Sequence, residues 1–175
     1  MSTRLADHGR LIDRTKAVEF TFNGKRLKGF QGDTLASALL ANDQLLVGRS
    51  FKYHRPRGIV AAGPEEPNAL VGLGLGGRFE PNQRVTTTEL FDGLSARSQN
   101  HWPSLEFDIG AVNKMMSRFF PAGFYYKTFM FPRAAWKHLF EPVIRGAAGL
   151  GKAPSARDAD RYEYFYAHVD VLIVG

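Results

Sequence analysis

Hydrophobic and polar residues alternate where regular structure is expected to begin. Val18, Phe20 and Phe22 are separated by polar residues, which is the period of two of a half-buried strand. Asn23-Gly24 follows directly, and this dipeptide favours a two-residue hairpin turn because both positions need positive φ. Such a turn places Phe20 opposite Leu27. We therefore predict a β-hairpin with one apolar face.

A helical period replaces the alternation after the hairpin. Leu35, Ala38 and Leu39 stand at positions i, i+3 and i+4, which gives a short helix one apolar face. Asp33 or Thr34 can cap its first turn by accepting a backbone N–H, and the pattern ends near position 42. A hairpin followed by a capped helix is typical of the start of a β-grasp domain.

The rest of the first half indicates short strands joined by loops. The sequence predicts strands at 45–47, 69–71 and 84–91. The fold class predicted for residues 17–100 is accordingly α+β, a β-grasp domain, and the polar residues 1–16 are predicted to be a flexible N-terminal arm. The run Gly72–Gly77 matches G-x-G-x-x-G, but the residues after it form a poor helix start, so we interpret it as a loop.

Residues 101–167 carry most of the aromatic residues and are predicted to be a helical and irregular extension. Helices are expected from Ala111 to Phe120 and again after Phe131-Pro132. The segment 168–175 is an apolar run that ends in Gly175, where a dinucleotide-binding fold places its first glycine after a buried strand. We therefore predict the first strand of a truncated Rossmann domain, with Gly175 as a cofactor-binding position.

The composition and net charge of the chain allow several kinds of anionic partner. The chain of 175 residues is 44% hydrophobic and has a net charge of +6, which allows nucleic acid, a phosphate-bearing cofactor or an acidic subunit face. No stretch approaches the roughly 18 apolar residues of a membrane span, and no signal peptide is evident. We expect a soluble cytoplasmic protein that is not bound to a membrane.

The absence of cysteine excludes disulfides, thiolate metal sites and cysteine nucleophiles from these 175 residues. The five histidines share no spacing that would suit a metal site. No Ser-His-Asp arrangement and no acid–base pair stands out either. We therefore expect neither a catalytic centre nor a metal site within the chain.

The stretch Arg49–Gly58, called the basic loop below, is the most distinctive local feature. It holds three arginines, one lysine and one histidine, with aromatic neighbours and no acid. Such a loop could bind a phosphate, a carboxylate or a single-stranded nucleic acid. Alternatively, it is a structured loop whose arginines pair with acids and carbonyls elsewhere in the fold. Both interpretations stay open from the sequence.

Four stretches in order resemble the N-terminal region of heterotetrameric sarcosine oxidase alpha subunits. They are Phe30–Ala41, Arg49–Ile59, Glu65–Val71 and Ser98–Ser104. The resemblance implies a domain similar to a [2Fe–2S] ferredoxin, whose cluster-bearing relatives place cysteines in the loop that corresponds to residues 60–69. Because this loop has no thiol, we expect no iron–sulfur cluster and no electron transfer in the domain.

The resemblance also implies a larger assembly with its chemistry elsewhere. Such enzymes demethylate sarcosine oxidatively to glycine and form hydrogen peroxide, and the one-carbon unit leaves as formaldehyde or passes to tetrahydrofolate. NAD is expected on the alpha subunit, FAD on the beta subunit and FMN near their interface. No cofactor is expected in this segment, which would serve as a structural module that contacts the remainder of the alpha chain and the beta and smaller subunits.

Two other interpretations accompany this one. A related opine or amino-acid dehydrogenase complex would use a similar domain, and the charge and the basic loop would also suit a nucleic-acid-binding module. Within the assembly, Arg55 and Arg57 are the candidate contacts to an anionic cofactor because a guanidinium can donate two hydrogen bonds to phosphate oxygens.

Overall fold

The predicted hairpin is present in the computed structural model, which describes residues 3–115, 131–147 and 151–173. Strand β1 spans Asp13–Phe22 and β2 spans Lys25–Gln31. Phe20 pairs with Leu27, and the turn residues Asn23 and Gly24 have φ values of 50° and 80°. The observed pairing therefore confirms the hairpin register that the alternating pattern and the turn dipeptide predicted.

The predicted arm over residues 1–16 is too long, because β1 already begins at Asp13. Residues before the strand are also tied to the domain. Arg4 donates two hydrogen bonds to the buried carboxylate of Asp33, at 2.9 and 2.7 Å, and the Thr3 amide donates to the Ala41 carbonyl. Long-range partners of this kind cannot be read from local polarity.

Helix α1 spans Leu35–Ala41 and forms as predicted. Thr34 is its N-cap, and its hydroxyl accepts from the Ser37 amide while the Ser37 hydroxyl accepts from the Thr34 amide. This capping box satisfies two amides that would otherwise lack partners. Asn42 closes the helix at its C-terminus, and its side chain donates to the Ala38 carbonyl at 2.8 Å.

The described part of the chain contains one five-stranded mixed sheet. Its remaining strands are β5 (Leu70–Leu73), β6 (Glu80–Arg84) and β7 (Leu94–Ser98), and the strand order is β2-β1-β7-β5-β6. β1 and β7 are parallel, whereas the other neighbouring pairs are antiparallel. A mixed sheet with few helices fits the predicted α+β class.

Two strand predictions need correction, and one strand, β7, was not predicted. Residues 45–47 are not a strand; instead, β3 (Gly48–Arg49) pairs with β4 (Pro56–Arg57) inside the basic loop. The segment 84–91 is strand only at Arg84; Val85 is buried in a turn, Leu90 is buried after that turn, and Phe91 is exposed. β7 alternates only from Leu94 to Arg97, which is too short a pattern to predict it, and it is a strand because β1 and β5 flank it on both sides.

The core lies between the sheet and α1. Its largest fully buried side chains include Phe20, Phe22, Leu35 and Leu39, and truncating such a phenylalanine typically costs about 3–5 kcal/mol. The buried apolar cluster comprises Val18, Phe20, Phe22, Leu27, Leu35, Ala36, Ala38, Leu39, Val47, Ala69, Val71, Val85, Leu90, Leu94, Ala96 and Leu105.

The second half contains helical structure within parts of both predicted helices. Helical structure is described at Val112–Met115 (α2), at Arg133–Ala135 (α3), in a π-helical turn at Trp136–Phe140 and at Glu141–Ala147 (α4). These short stretches do not confirm that residues 101–167 form one helical extension. Half of the predicted helix 111–120, residues 116–120, lies outside the described residues.

The predicted strand over residues 168–175 is absent from its described part, residues 168–173. The apolar side chains there are exposed, among them Val171, Leu172 and Ile173 at 73% or more. A parallel strand needs neighbouring strands for its hydrogen bonds, and none in the described structure pairs with it. Within the described ranges, no helix has the length and apolar character needed to cross a lipid bilayer.

Candidate functional site

Arg49 holds the basic loop against the segment that follows β7. Its guanidinium donates to the Leu105 carbonyl at 2.9 and 2.6 Å, to the Glu106 carbonyl at 2.9 Å and to the His54 carbonyl at 3.2 Å. The side-chain amide of Asn100 adds a bond to the Ser50 carbonyl at 2.8 Å. This arginine therefore fixes the shape of the loop.

His54 and Asp108 form a second tie between the same two segments. Their Nδ1 and Oδ2 atoms are 2.6 Å apart, and the Asp108 side chain is fully buried. The other carboxylate oxygen accepts from the amides of Trp102 and Gly110. Burial alone would raise the pKa of Asp108, but these amides and His54 more than offset it and lower the pKa. The carboxylate is therefore held in its charged form.

Arg55 and Arg57, the two candidate anion contacts, face different surroundings. The Arg55 guanidinium lies over the Tyr53 ring, 5.0 Å from its centroid, and the side chain is exposed. Arg57 lies in β4 and lines a cleft of about 130 Å³. The cleft is bounded by Gly48, Arg49, Ser50, Phe51, Arg57, Pro67, Asn68, Leu70, Gln99 and Asn100.

The loop over residues 60–69, called the Glu66 loop below, is organised by one buried carboxylate. Oε2 of Glu66 accepts from the Val60 and Ala61 amides at 2.8 and 2.7 Å, and Oε1 accepts from the Asn68 and Ala69 amides at 2.8 and 3.2 Å. Burial alone would raise the pKa of Glu66, but the four N–H donors more than offset it, so its pKa is lowered.

The sequence prediction found part of this arrangement. It singled out the basic loop, which the structure brings beside residues 99–111 and the Glu66 loop, but it assigned no role to Glu66 or Asp108. An acid followed by Pro and Asn in a loop without regular structure is the signal that could have pointed to Glu66, because such a loop leaves amides that need an acceptor. The predicted cofactor position Gly175 lies outside the described residues.

Comparisons with known proteins agree with the fold. The family described as "2Fe-2S iron-sulfur cluster binding domain" matches residues 15–101. Sarcosine oxidase subunit alpha of Rhizobium meliloti (strain 1021) is 62% identical over 174 residues, which is 99% of this chain and 18% of that protein. The same subunit of Corynebacterium sp. (strain U-96) is 44% identical over 91 residues, 50% of this chain and 9% of that protein.

A further relative and one solved structure complete the comparison. Sarcosine oxidase subunit alpha of Corynebacterium sp. (strain P-1) is 58% identical over 88 residues, 49% of this chain and 9% of that protein. The crystal structure of L-proline dehydrogenase from P. horikoshii matches 53% of this chain and 18% of that chain at 26% identity, with a TM-score of 0.39. That score is too low to support an argument about the fold.

Fold and family match define residues 15–101 as a domain of the 2Fe-2S ferredoxin class. The chain as a whole belongs to the sarcosine oxidase alpha subunit family, and the similarity extends over nearly all of its length. It spans less than a fifth of the length of the curated relatives that it matches.

The family match corrects the expectation that no iron–sulfur cluster belongs with this domain, because the matching family is a cluster-binding one. The donor set of the chain is a separate observation. Cluster iron is held by thiolates, and the sequence has no cysteine. Within the described residues no group of three or more histidines and acids could hold a metal ion. The residues present therefore do not fit thiolate ligation of a cluster.

Proposed function

We propose that this chain is the ferredoxin-like, subunit-interface module of a sarcosine oxidase alpha subunit. The assembly would oxidise sarcosine with a flavin to glycine, release the methyl carbon as formaldehyde or pass it to tetrahydrofolate, and reduce oxygen to hydrogen peroxide. The observation that carries the proposal is the 62% identity over 174 residues to a sarcosine oxidase alpha subunit. The comparisons do not favour an opine dehydrogenase subunit or a nucleic-acid-binding module.

Exposed apolar side chains after β7 support the interface role. Trp102, Phe107 and Met115 are 68%, 70% and 82% exposed, within a segment that Arg49 and Asp108 anchor to the domain. Large apolar surfaces on a folded domain mark contacts with other protein. The proposed partners are the remainder of the alpha chain and the beta and smaller subunits. The proposed compartment is the cytoplasm, because a chain without cysteine forms no disulfides and needs no oxidising compartment.

The proposed catalytic role of this chain is indirect. No constellation of nucleophile, base and orienting acid stands out in the described structure, whereas the buried ties of Arg49, His54, Asp108 and Glu66 all fix loop shape. Sarcosine oxidation is accordingly assigned to another subunit. The domain would hold its neighbours in place.

The activity is tested with the purified complex that contains the full-length subunit. We expect peroxide formation that depends on sarcosine and is absent with opines. Turnover of an opine without turnover of sarcosine would refute the assignment.

The interface role is tested with the double variant Trp102→Asp and Phe107→Asp. Two buried charges would oppose association, so we expect less assembled complex by size-exclusion chromatography and a matching loss of peroxide formation. Leu11→Asp, at an 81% exposed position before β1, is the matched control. Normal assembly of the double variant would contradict the proposed surface.

A further inference from the structure

The cleft beside β3 and β4 is lined by a cation that has no partner among the described residues. Arg57 lines this cleft, is exposed, and makes no ion pair or side-chain hydrogen bond within the described ranges. Its neighbour Arg49 also lines the cleft, but the Arg49 N–H groups are directed to carbonyls. The charge of Arg49 still adds to the positive potential, so two arginines and no acid line one cleft.

Two neutral donors line the same cleft. The side-chain amide of Asn68 makes no hydrogen bond to the described residues, although its backbone amide is bound by Glu66. The hydroxyl oxygen of Ser50 accepts from the Arg55 amide, and its proton has no acceptor in the described part of the chain. The cleft is therefore lined by a guanidinium, an amide and a hydroxyl that can each donate a hydrogen bond.

We propose that this cleft is a binding site for a phosphate group of a small molecule, with Arg57 as its charged contact. A guanidinium binds phosphate oxygens with two parallel hydrogen bonds, and a tetrahedral group has further oxygens for the donors of Asn68 and Ser50. The volume of about 130 Å³ suits one phosphate group, whereas sites for whole drug-sized ligands enclose roughly 300–1,000 Å³. The rest of the ligand would lie outside the cleft.

Backbone hydrogen bonds hold the loop that positions Arg57. β3 and β4 pair through backbone bonds, and the Val47 amide donates to the Arg57 carbonyl at 2.9 Å. The Glu66 loop holds Asn68 through its backbone amide. The site is thus preorganised by groups that do not themselves contact the ligand, which lowers the entropic cost of binding.

The first test labels arginines with phenylglyoxal in the full-length subunit within its complex, with and without inorganic phosphate. Mass spectrometry of the labelled peptides separates Arg57 from Arg55, which lies over Tyr53 and outside the cleft. We expect phosphate to slow the labelling of Arg57 and to leave Arg55 unchanged. Equal labelling of Arg57 with and without phosphate would overturn the proposal.

The second test measures inorganic phosphate binding calorimetrically in Arg57→Gln and its matched control Arg55→Gln. We expect at least about tenfold weaker phosphate binding in R57Q and an unchanged constant in R55Q, because a charge-assisted contact is lost only in the first. Equal weakening in both variants would show a general charge effect and refute the site. In the labelling experiment, equal protection of Arg57 by acetate and by phosphate would refute the phosphate assignment.

Discussion

Replacing Glu66 by glutamine is expected to loosen the Glu66 loop and leave the sheet intact. The buried carboxylate accepts two backbone N–H groups at each oxygen, with distances of 2.7 to 3.2 Å. Glutamine keeps one oxygen but turns an NH₂ group towards the two amides that met the other. Each buried amide left without an acceptor costs about 1–3 kcal/mol, so two together make opening easier by about 3 kcal/mol.

Hydrogen exchange followed by mass spectrometry measures this opening locally in the full-length subunit. Since 1.4 kcal/mol corresponds to a factor of ten, the amides of Val60, Ala61, Asn68 and Ala69 should exchange about 100-fold faster in the variant. Glu65→Gln is the matched control, because Glu65 is exposed and accepts more weakly from two neighbouring amides. Unchanged exchange in E66Q, or an equal effect in E65Q, would refute the reasoning.

The same carboxylate predicts a pH dependence. Its pKa is lower in the folded chain than its ordinary value, so its contribution to stability is complete above about pH 4.3. That contribution is lost as the pH falls through the folded pKa, where the carboxylate takes up a proton. The difference in protection between the wild type and E66Q should therefore narrow under acid conditions. A difference that stays constant with pH would contradict the assigned cause.

Three further perturbations test other ties in the domain. Asp108→Asn removes the charged partner of His54 and should speed hydrogen exchange across residues 99–111 by about tenfold or more. Unchanged or slower exchange would refute this prediction. Arg4→Met leaves the buried Asp33 carboxylate without its cation and should destabilise α1 by about 3 kcal/mol, seen as lower protection of its amides. Gly32→Ala should lower the unfolding temperature, because φ is 88° and a Cβ would meet a backbone carbonyl; an unchanged temperature would contradict this.

Local patterns were sufficient where neighbouring residues decide the conformation. The alternation at Val18, Phe20 and Phe22 and the Asn23-Gly24 turn predicted the hairpin with its register. The helix and its Thr34 cap followed from a period and a side chain within three residues. These interactions span few residues, so their energies are already present in the local sequence.

Local patterns failed where distant segments decide the conformation. β7 is a strand because β1 and β5 flank it, although its own alternation covers only Leu94 to Arg97. Conversely, residues 168–173 have a strand pattern but no neighbouring strand in the described structure, and they form none. A sheet hydrogen bond needs a second chain segment, and local sequence does not reveal where that segment lies.

The sequence alone determined the absence of thiol ligands, the basic character of Arg49–Gly58 and the α+β class of the first half. Only the tertiary structure distinguished the arginines, since Arg49 bonds carbonyls 56 and 57 residues away whereas Arg57 faces a cleft. It also gave Glu66 its role, by folding four amides around one carboxylate. The physical reason is that charge belongs to a residue type, whereas burial and partners depend on segments brought together by the fold.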